Sequence, residues 1–440
     1  MLFFFKRREP RDDAPRPPFT AYTPGGGDAP RKLVLDGDER CDAVIVGGGF
    51  VGCSAALHAT GLGVDTVLLE QNEIGWGSAG RNFGNVNPRV TKLEPENVVK
   101  VYGPVFGERL NDAGSNAPAF ISELAARLGI DATIVRGGVM TGAYNDRGLD
   151  MLKARVEFYA KRGESLEYLN RAATAETVGG DVYRGSVIDR RAISVNPLAL
   201  VRGMARAAAG NGARLYQNSA VVAIEPKNDR WLVRTLHGTV DAKYVLLCTN
   251  AYTADLWPGL AKTALPICGS QIFTKPIAEH HRSRILKGLS SLVDTRRLPG
   301  GVRLHPDGRL QIGGAVGTRR VTDPRVGKSM TLIRRLFPEI GPIEVEGWWS
   351  GWTMMGIHDG WRLHELAPGV LTLFGCNGRG VGAGTIFGRE LARLVGGTPA
   401  SELMLPITTP KSLPMYPFYR AAASIAIKYY SFRDQVEFRS

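Results

Sequence analysis

The chain has 440 residues, 44% of them hydrophobic and 22% charged, ordinary values for a globular protein of two or three structural units. No apolar run reaches the roughly 20 residues of a membrane-spanning helix, and the opening Met1–Arg8 stretch places its short apolar run before its basic residues, the reverse of a secretory signal. The net charge of +13 favours anionic ligands, but the arginines come as isolated pairs such as Arg190–Arg191 and Arg319–Arg320, so no nucleic-acid partner is expected. Cys41, Cys53, Cys248, Cys268 and Cys376 are dispersed, with no CxxC pair and no histidine at ligand spacing. They predict reduced thiols in a cytoplasmic protein, without disulfides or metal.

Residues 1–40 are rich in Pro, Gly, Asp and Arg and predict an extended arm. Asp42-Ala-Val-Ile-Val46 is a continuous apolar run of the kind a buried parallel strand shows. A helix is expected over Val51–Thr60 and a second buried strand at Thr66–Leu69, completing a strand–helix–strand unit. From about Glu94 to Asp189 the pattern is mostly helical. Asn196-Pro197 predicts a capped helix reaching Ala209. Short β-patterned runs follow at Ala213–Gln217, Ala220–Glu225, Trp231–Leu236 and Tyr244–Cys248, and strands broken by Gly and Pro fill Leu265–Gly314. A helix is predicted at Lys328–Leu336, a strand at Val370–Phe374 and a helix at Ala383–Val395. Beyond Pro406 a proline-spaced linker leads to an amphipathic segment, Tyr419–Phe432.

The first strand ends in Gly47-Gly48-Gly49-Phe50-Val51-Gly52, a GxGxxG pattern. Gly47 allows the tight turn, Gly49 lets backbone approach a pyrophosphate, and Gly52 permits close helix–strand packing. The helix opening there presents free N–H groups and a positive dipole end. Glu70, at the end of the second strand, can accept both hydroxyls of an adenosine ribose and would repel the phosphate of NADP. The pattern alone does not separate NAD from FAD. The glycine-rich loop Ile74-Gly-Trp-Gly-Ser-Ala-Gly-Arg-Asn-Phe-Gly84, standing where an NAD enzyme carries another crossover helix, points to FAD.

This loop resembles that of the D-amino acid oxidase superfamily of flavoproteins, and most closely its gamma-glutamylputrescine oxidase-like branch. Three further segments resemble the family in order: Ala220–Glu225, Val245–Thr253, and Phe374-Gly-Cys-Asn-Gly-Arg-Gly-Val381 with the helix after it. The resemblance covers roughly residues 41–400. It implies an α/β fold in which an FAD-binding Rossmann-like domain of the glutathione reductase type (41–100, 195–262 and 345–400) interleaves with an antiparallel-sheet substrate domain (101–194 and 263–344), leaving 401–440 as a tail. It also implies cofactor contacts from Gln71, Gly77, Ser78, Arg81, Asn82 and Gly84, from Val221, Thr249 and Asn250, and from Gly378, Arg379, Gly380, Val381 and Gly382.

The departures from the family carry expectations too. Phe83 stands where the family has glycine. Counting back from Asp359, Trp352 stands where the sarcosine oxidase-like branch has its flavin-linked cysteine, and residues 75–85 contain no histidine, so the FAD is expected to be non-covalent. Gln311 stands near the position of the lysine that assists oxygen, which makes a quinone or electron carrier an alternative to oxygen as acceptor. Thr353 stands near the position of the carboxylate-gripping arginine of glycine oxidase-like enzymes.

The reaction implied is hydride transfer from the carbon beside a neutral amine or amino-acid nitrogen to flavin N5, followed by hydrolysis of the imine, with no dedicated catalytic base. Backbone N–H groups around Gly380–Gly382 would stabilise the electron-rich flavin. Arg303 is expected to anchor a substrate carboxylate in two places, with Arg362 next in line. His305 and His358 are further candidates, and Trp348, Trp349, Trp352 and Trp361 either wall the pocket or fill the second domain's core. The basic, amphipathic tail could rest on a membrane surface. Competing readings are a non-oxidative FAD or NAD enzyme, a tRNA-modifying flavoprotein and a binding-only regulator.

Overall fold

The computed structural model describes residues 20–23, 25–28, 30, 33–321, 328–356 and 360–437. The run at Asp42 is the second half of a longer strand, Gly37–Val46. It pairs in parallel with Thr66–Leu69 on one side and Gly238–Leu247 on the other. Arg214–Tyr216 and Val370–Phe374 continue the sheet in parallel, and Arg362–Ala367 and Ile407–Thr408 finish one edge.

Strand alternation explains why the run is apolar throughout. Ala43 and Ile45 pack with residues of helices Phe50–Gly61, Pro197–Gly210 and Gly380–Val395, whereas Val44 and Val46 pack with the hairpin Ala223–Lys227 and Arg230–Arg234. Both faces are covered, so neither side tolerates a polar residue. Helix Pro197–Gly210 starts as its sequence predicts: Asn196 Oδ1 accepts the N–H groups of Leu198 and Ala199 at 3.1 Å each.

A second, eight-stranded sheet runs in the order Val345–Gly356, Ala264–Thr274, Leu310–Gly317, Gly301–Leu304, Ser291–Asp294, Val139–Gly142, Gly185–Asp189 and Glu167–Asn170. It is antiparallel except where Ser291–Asp294 runs beside Val139–Gly142.

The structure differs from the sequence reading in three places. The stretch read as mostly helical does contain helices Pro95–Ser115, Ala117–Arg127, Asp146–Lys161 and Arg171–Val178, but also three strands of the second sheet. Those strands have four or five residues each and are held by pairing: Val139–Gly142 pairs with Ser291–Asp294 and Gly185–Asp189, and Glu167–Asn170 pairs with Gly185–Asp189 across a short helix. Residues 345–356, expected in the cofactor domain, form the edge strand of the second sheet. The described part of the N-terminal arm has no regular element before Gly37, yet it is anchored. Leu35 is buried and donates its N–H to Ser219 Oγ (2.9 Å), Leu33 O accepts the Gln217 N–H (2.7 Å), and the Tyr22 ring is 2% exposed.

Candidate functional site

The motif glycines of the first turn are needed for different reasons. Gly47 has φ +112°, and a Cβ there would lie 2.9 Å from Cys248 O. A Cβ on Gly52 would lie 1.9 Å from Gly47 O, so helix and strand could not close. Gly49 is different: its Cβ would meet only the Ala79 Cβ, at 3.9 Å, and would otherwise stand in open space. Gly49 is the N-cap of helix Phe50–Gly61 and no side chain caps that end, leaving the first-turn N–H groups to a ligand. Glu70 follows the second strand, and its carboxylate accepts the N–H groups of Gly48 (2.6 Å) and Asn72 (2.9 Å). Burial raises its pKa while these N–H groups oppose the rise.

These residues open onto a cavity of about 740 Å³, within the usual size of cofactor and ligand sites. Its wall includes Gly47, Gly49, Glu70 and Gln71, the loop residues Gly77, Ser78, Arg81, Asn82 and Gly84, then Val221, Thr249 and Asn250, and finally Gly378, Arg379, Gly380 and Val381. Gly52 lies behind the wall. Gly382 faces Val86 and Ala117 instead, with its Cβ position 3.1–3.2 Å from them. The opposite wall comes from the second sheet and is made of small residues: Gly269, Ser270, Gly301, Gly313, Gly314 and Gly351. Trp352, Thr353 and Trp361 complete it.

The loop after Glu70 is held rigidly from behind. Arg81 Nε donates to Trp76 O (2.7 Å) and Nη1 to Ser350 O (3.0 Å), with the guanidinium over the Trp76 ring at 4.6 Å. The Arg81 carbonyl accepts from Gln271 Nε2 (3.0 Å) and Trp349 Nε1 (2.9 Å). Asn82 Nδ2 donates to Ser78 O and Ala79 O, its Oδ1 accepts the Gly84 N–H, and its carbonyl lies 2.9 Å from the Tyr22 hydroxyl.

Arg303, expected as the substrate anchor, belongs to this rear support and not to the wall. Its Nη1 donates to Val195 O (2.8 Å) and Phe83 O (3.3 Å), it is 1% exposed, and it lies over the Tyr22 ring at 5.9 Å. Alternation puts Arg303 on the same strand face as the cavity-lining Gly301, but the Phe83–Gly84 backbone lies between the guanidinium and the cavity. Gly84 permits that approach, since a Cβ there would sit 2.3 Å from Arg303 Nη1. His305 is likewise behind the wall, its Nε2 sharing a hydrogen bond with Gln311 Oε1 (2.8 Å). Gln311 is fully buried between Tyr22 and Gln271. Trp348 and Trp349 fill cores, Arg362 stacks on Tyr102 at 4.6 Å, and His358 lies outside the described residues.

Two arginines line the described wall, and Arg81 is already engaged. Arg379, the N-cap of helix Gly380–Val395, donates its backbone N–H to Cys376 O (2.8 Å), while its side chain makes no hydrogen bond or ion pair among the described residues. Burial first, and then the guanidiniums of Arg89 and Arg155, push its pKa down. Those two arginines share one carboxylate, Glu94, at 2.9 Å each. Arg379 thus stands near two further guanidiniums that share one carboxylate between them. Trp361 Nε1 is a second unmet group, buried without an acceptor among the described residues. The open Gly49 cradle, the uncapped helix end, Glu70 and these unmet donors fit a large anionic dinucleotide with space for a small ligand. The tyrosine clamp, Gln271 and the glycine wall were missed in the sequence. A signal existed for the last, because glycines inside strands mark a close approach by a ligand or backbone.

Burial, aided by Arg303, holds the His305 pKa down to about 4. An unfolded imidazole takes up its proton near pH 6.5, so between those values the unfolded state binds the extra proton and stability falls as pH drops. Urea unfolding at pH 7 and pH 5 should show a smaller acid loss for His305→Gln than for the parent, by about 1–2 kcal/mol. An equal loss would mean that His305 protonates freely in the fold.

A profile of the family described as DAO, FAD dependent oxidoreductase, matches residues 42–394. The chain is 31% identical over 409 residues to gamma-glutamylputrescine oxidoreductase of Escherichia coli (strain K12), covering 90% of this chain and 93% of that protein. It is 24% identical over 322 residues to glycine oxidase of Geobacillus kaustophilus (strain HTA426), covering 71% of this chain and 80% of that protein. The crystal structure of glycine oxidase from Geobacillus kaustophilus superposes with a TM-score of 0.69 at 21% identity, covering 81% of this chain and 95% of that one. Iminodiacetate oxidase from Chelativorans sp. BNC1 gives 0.67 at 19% identity, covering 84% and 100%.

Proposed function

We propose, on the premise that this chain belongs to the DAO family of FAD-dependent oxidoreductases, that it oxidises a carbon–nitrogen bond in a small amine or amino acid bearing a carboxylate. The observation that carries the carboxylate is Arg379, a cation on the cavity wall without a partner among the described residues. FAD, when bound, would accept the hydride, which carries the bonding electron pair away from the substrate carbon. The residues proposed to hold it are the Gly47–Gly52 turn, Glu70, the loop Gly77–Gly84, Val221, Thr249, Asn250 and the backbone of Gly378, Gly380 and Val381. The unpaired first-turn N–H groups take the pyrophosphate, and Glu70 the ribose. The start of helix Gly380–Val395 offers positive potential to the flavin ring.

Arg379 grips the carboxylate, and Trp352 and Trp361 keep water from the amine, which favours its neutral form with a free lone pair. We assign no catalytic base. The FAD is proposed to be non-covalent, because Trp352 stands where the sarcosine oxidase-like branch has its flavin-linked cysteine and residues 75–85 contain no histidine. We further propose that a quinone or electron carrier accepts the electrons, because the neutral Gln311 is sealed behind Gln271, and that the terminal helix rests on a membrane. The two sheets are taken as the cores of the cofactor and substrate domains.

Anaerobic mixing with a panel of amines and amino acids tests the reaction. The flavin band should bleach with carboxylated amines at a rate that saturates. In air, dye reduction should outpace peroxide formation at least tenfold. A flavin that no amine bleaches would overturn the C–N reading, and equal rates would reassign the acceptor to oxygen.

A further inference from the structure

The last described element is a 22-residue helix, Tyr416–Glu437, with two opposite faces. At 1.5 Å per residue it spans about 33 Å. Its inner face is fastened to the second sheet and its connections. Asp434 accepts the N–H groups of Arg297 and Leu298, Glu437 pairs with Arg297 at 2.8 Å, and the Tyr144 hydroxyl donates to Asp434 O. The outer face carries Phe418, Ala422, Ile425, Tyr429, Phe432 and Val436 at alternating spacings of four and three, which places them in one stripe. The five larger ones are 49–68% exposed, more apolar side chain than a water-facing helix ordinarily shows.

Charge tells what covers this stripe. The helix has two acidic residues, Asp434 and Glu437, and both are spent in ion pairs, on Arg297 and, for Glu437, also on Arg433 at 2.8 Å. Lys428 flanks the stripe on one side, exposed and without an ion pair among the described residues, and Arg433, paired with Glu437, flanks it on the other, so the free charge beside the stripe is the lysine's. A second copy of the helix would bring lysine toward lysine with no free carboxylate to relieve them. An anionic surface meets the same pattern favourably, with aromatic rings at Phe418, Tyr429 and Phe432 entering the boundary region. No helix among the described residues is long and apolar enough to cross a membrane, so the contact lies along the surface.

We propose that the outer face of helix Tyr416–Glu437 docks the protein on an anionic lipid surface. The inference makes specific the membrane contact named above and does not depend on which substrate is oxidised. Full-length protein with its flavin should co-float with vesicles of phosphatidylcholine and phosphatidylglycerol (7:3) in 0.1 M salt. Binding to pure phosphatidylcholine should be at least tenfold weaker, and 0.5 M salt should release most of the protein. Ile425→Ser with Phe432→Ser should cut anionic-vesicle binding at least tenfold while flavin content and dye-linked amine turnover stay within twofold of the parent, which separates this question from the catalytic reading. Vesicle binding unaffected by the double variant would overturn the proposal. So would absent binding together with a concentration-dependent dimer that the double variant abolishes, since a second copy would then cover the stripe.

Discussion

Gly49→Val should purify as a colourless, folded protein, whereas the parent should be yellow and release intact FAD into the supernatant on acid treatment. The substitution is favourable for a test because the backbone of Gly49 is extended, φ −92° and ψ −167°, which valine adopts readily. Its Cβ would touch only Ala79, at 3.9 Å, so the first carbon of the side chain displaces nothing in the protein. The two methyl groups would instead fill the approach to the uncapped helix end, where the pyrophosphate is proposed to lie. FAD affinity should fall at least a hundredfold, or about 3 kcal/mol. Near-ultraviolet circular dichroism and a melting temperature close to that of the flavin-stripped parent would confirm that the fold survives. A yellow Gly49→Val protein would refute the placement of the cofactor, and flavin remaining with the acid precipitate would refute a non-covalent link.

The second large effect is expected at Arg379. Arg379→Ala should lower kcat/KM for carboxylated amines by 30- to 1,000-fold, about 2–4 kcal/mol of transition-state binding, and leave uncharged amines within threefold. Arg379→Lys should recover only part, since an ammonium cannot reproduce the two-point grip of a guanidinium. The same residue should be a stability cost before substrate arrives. It is a desolvated cation near Arg89 and Arg155, at the helix end where the dipole disfavours positive charge. Arg379→Ala should therefore melt about 1–2 °C higher than the parent, both free of substrate. If both substrate classes lose turnover equally and flavin content drops, Arg379 serves the cofactor instead.

The parts of the fold set by local pattern were readable before any coordinates. The continuous apolar run at Asp42–Val46 needed burial on both faces, Gly47–Gly52 needed a tight turn, and Asn196-Pro197 needed a helix start. The strands Val139–Gly142 and Gly185–Asp189 were not readable, because their stability comes from partners far along the chain, the first of them beside Ser291–Asp294. Arg303 shows the limit for sites. Alternation tells which face of a strand a side chain takes, but not that the backbone of another segment, Phe83–Gly84, lies across its path. Tyr22 shows the same limit for the arm, where a single aromatic residue in an irregular segment supports the cofactor loop through the Asn82 carbonyl and Gln311.

The wall contributed by the second sheet has a consequence for engineering. Gly269, Gly301, Gly313, Gly314 and Gly351 already carry the smallest possible side chain, so from that side truncation can widen the cavity only at the few larger lining residues, among them Gln271, Val293 and Val316. Substitution at the glycines has different consequences from one position to the next. At Gly269 a Cβ would have only Val316 Cγ1 near it, at 3.9 Å, so alanine or serine is accommodated and subtracts volume directly from the ligand's side. At Gly314 the same change would strike Ser270, with Oγ 2.4 Å away, and would distort the sheet first. Laboratory evolution of substrate range should therefore narrow acceptance through Gly269, while broadening has to come from the larger lining residues, such as Phe83, Gln271, Trp352 and Trp361.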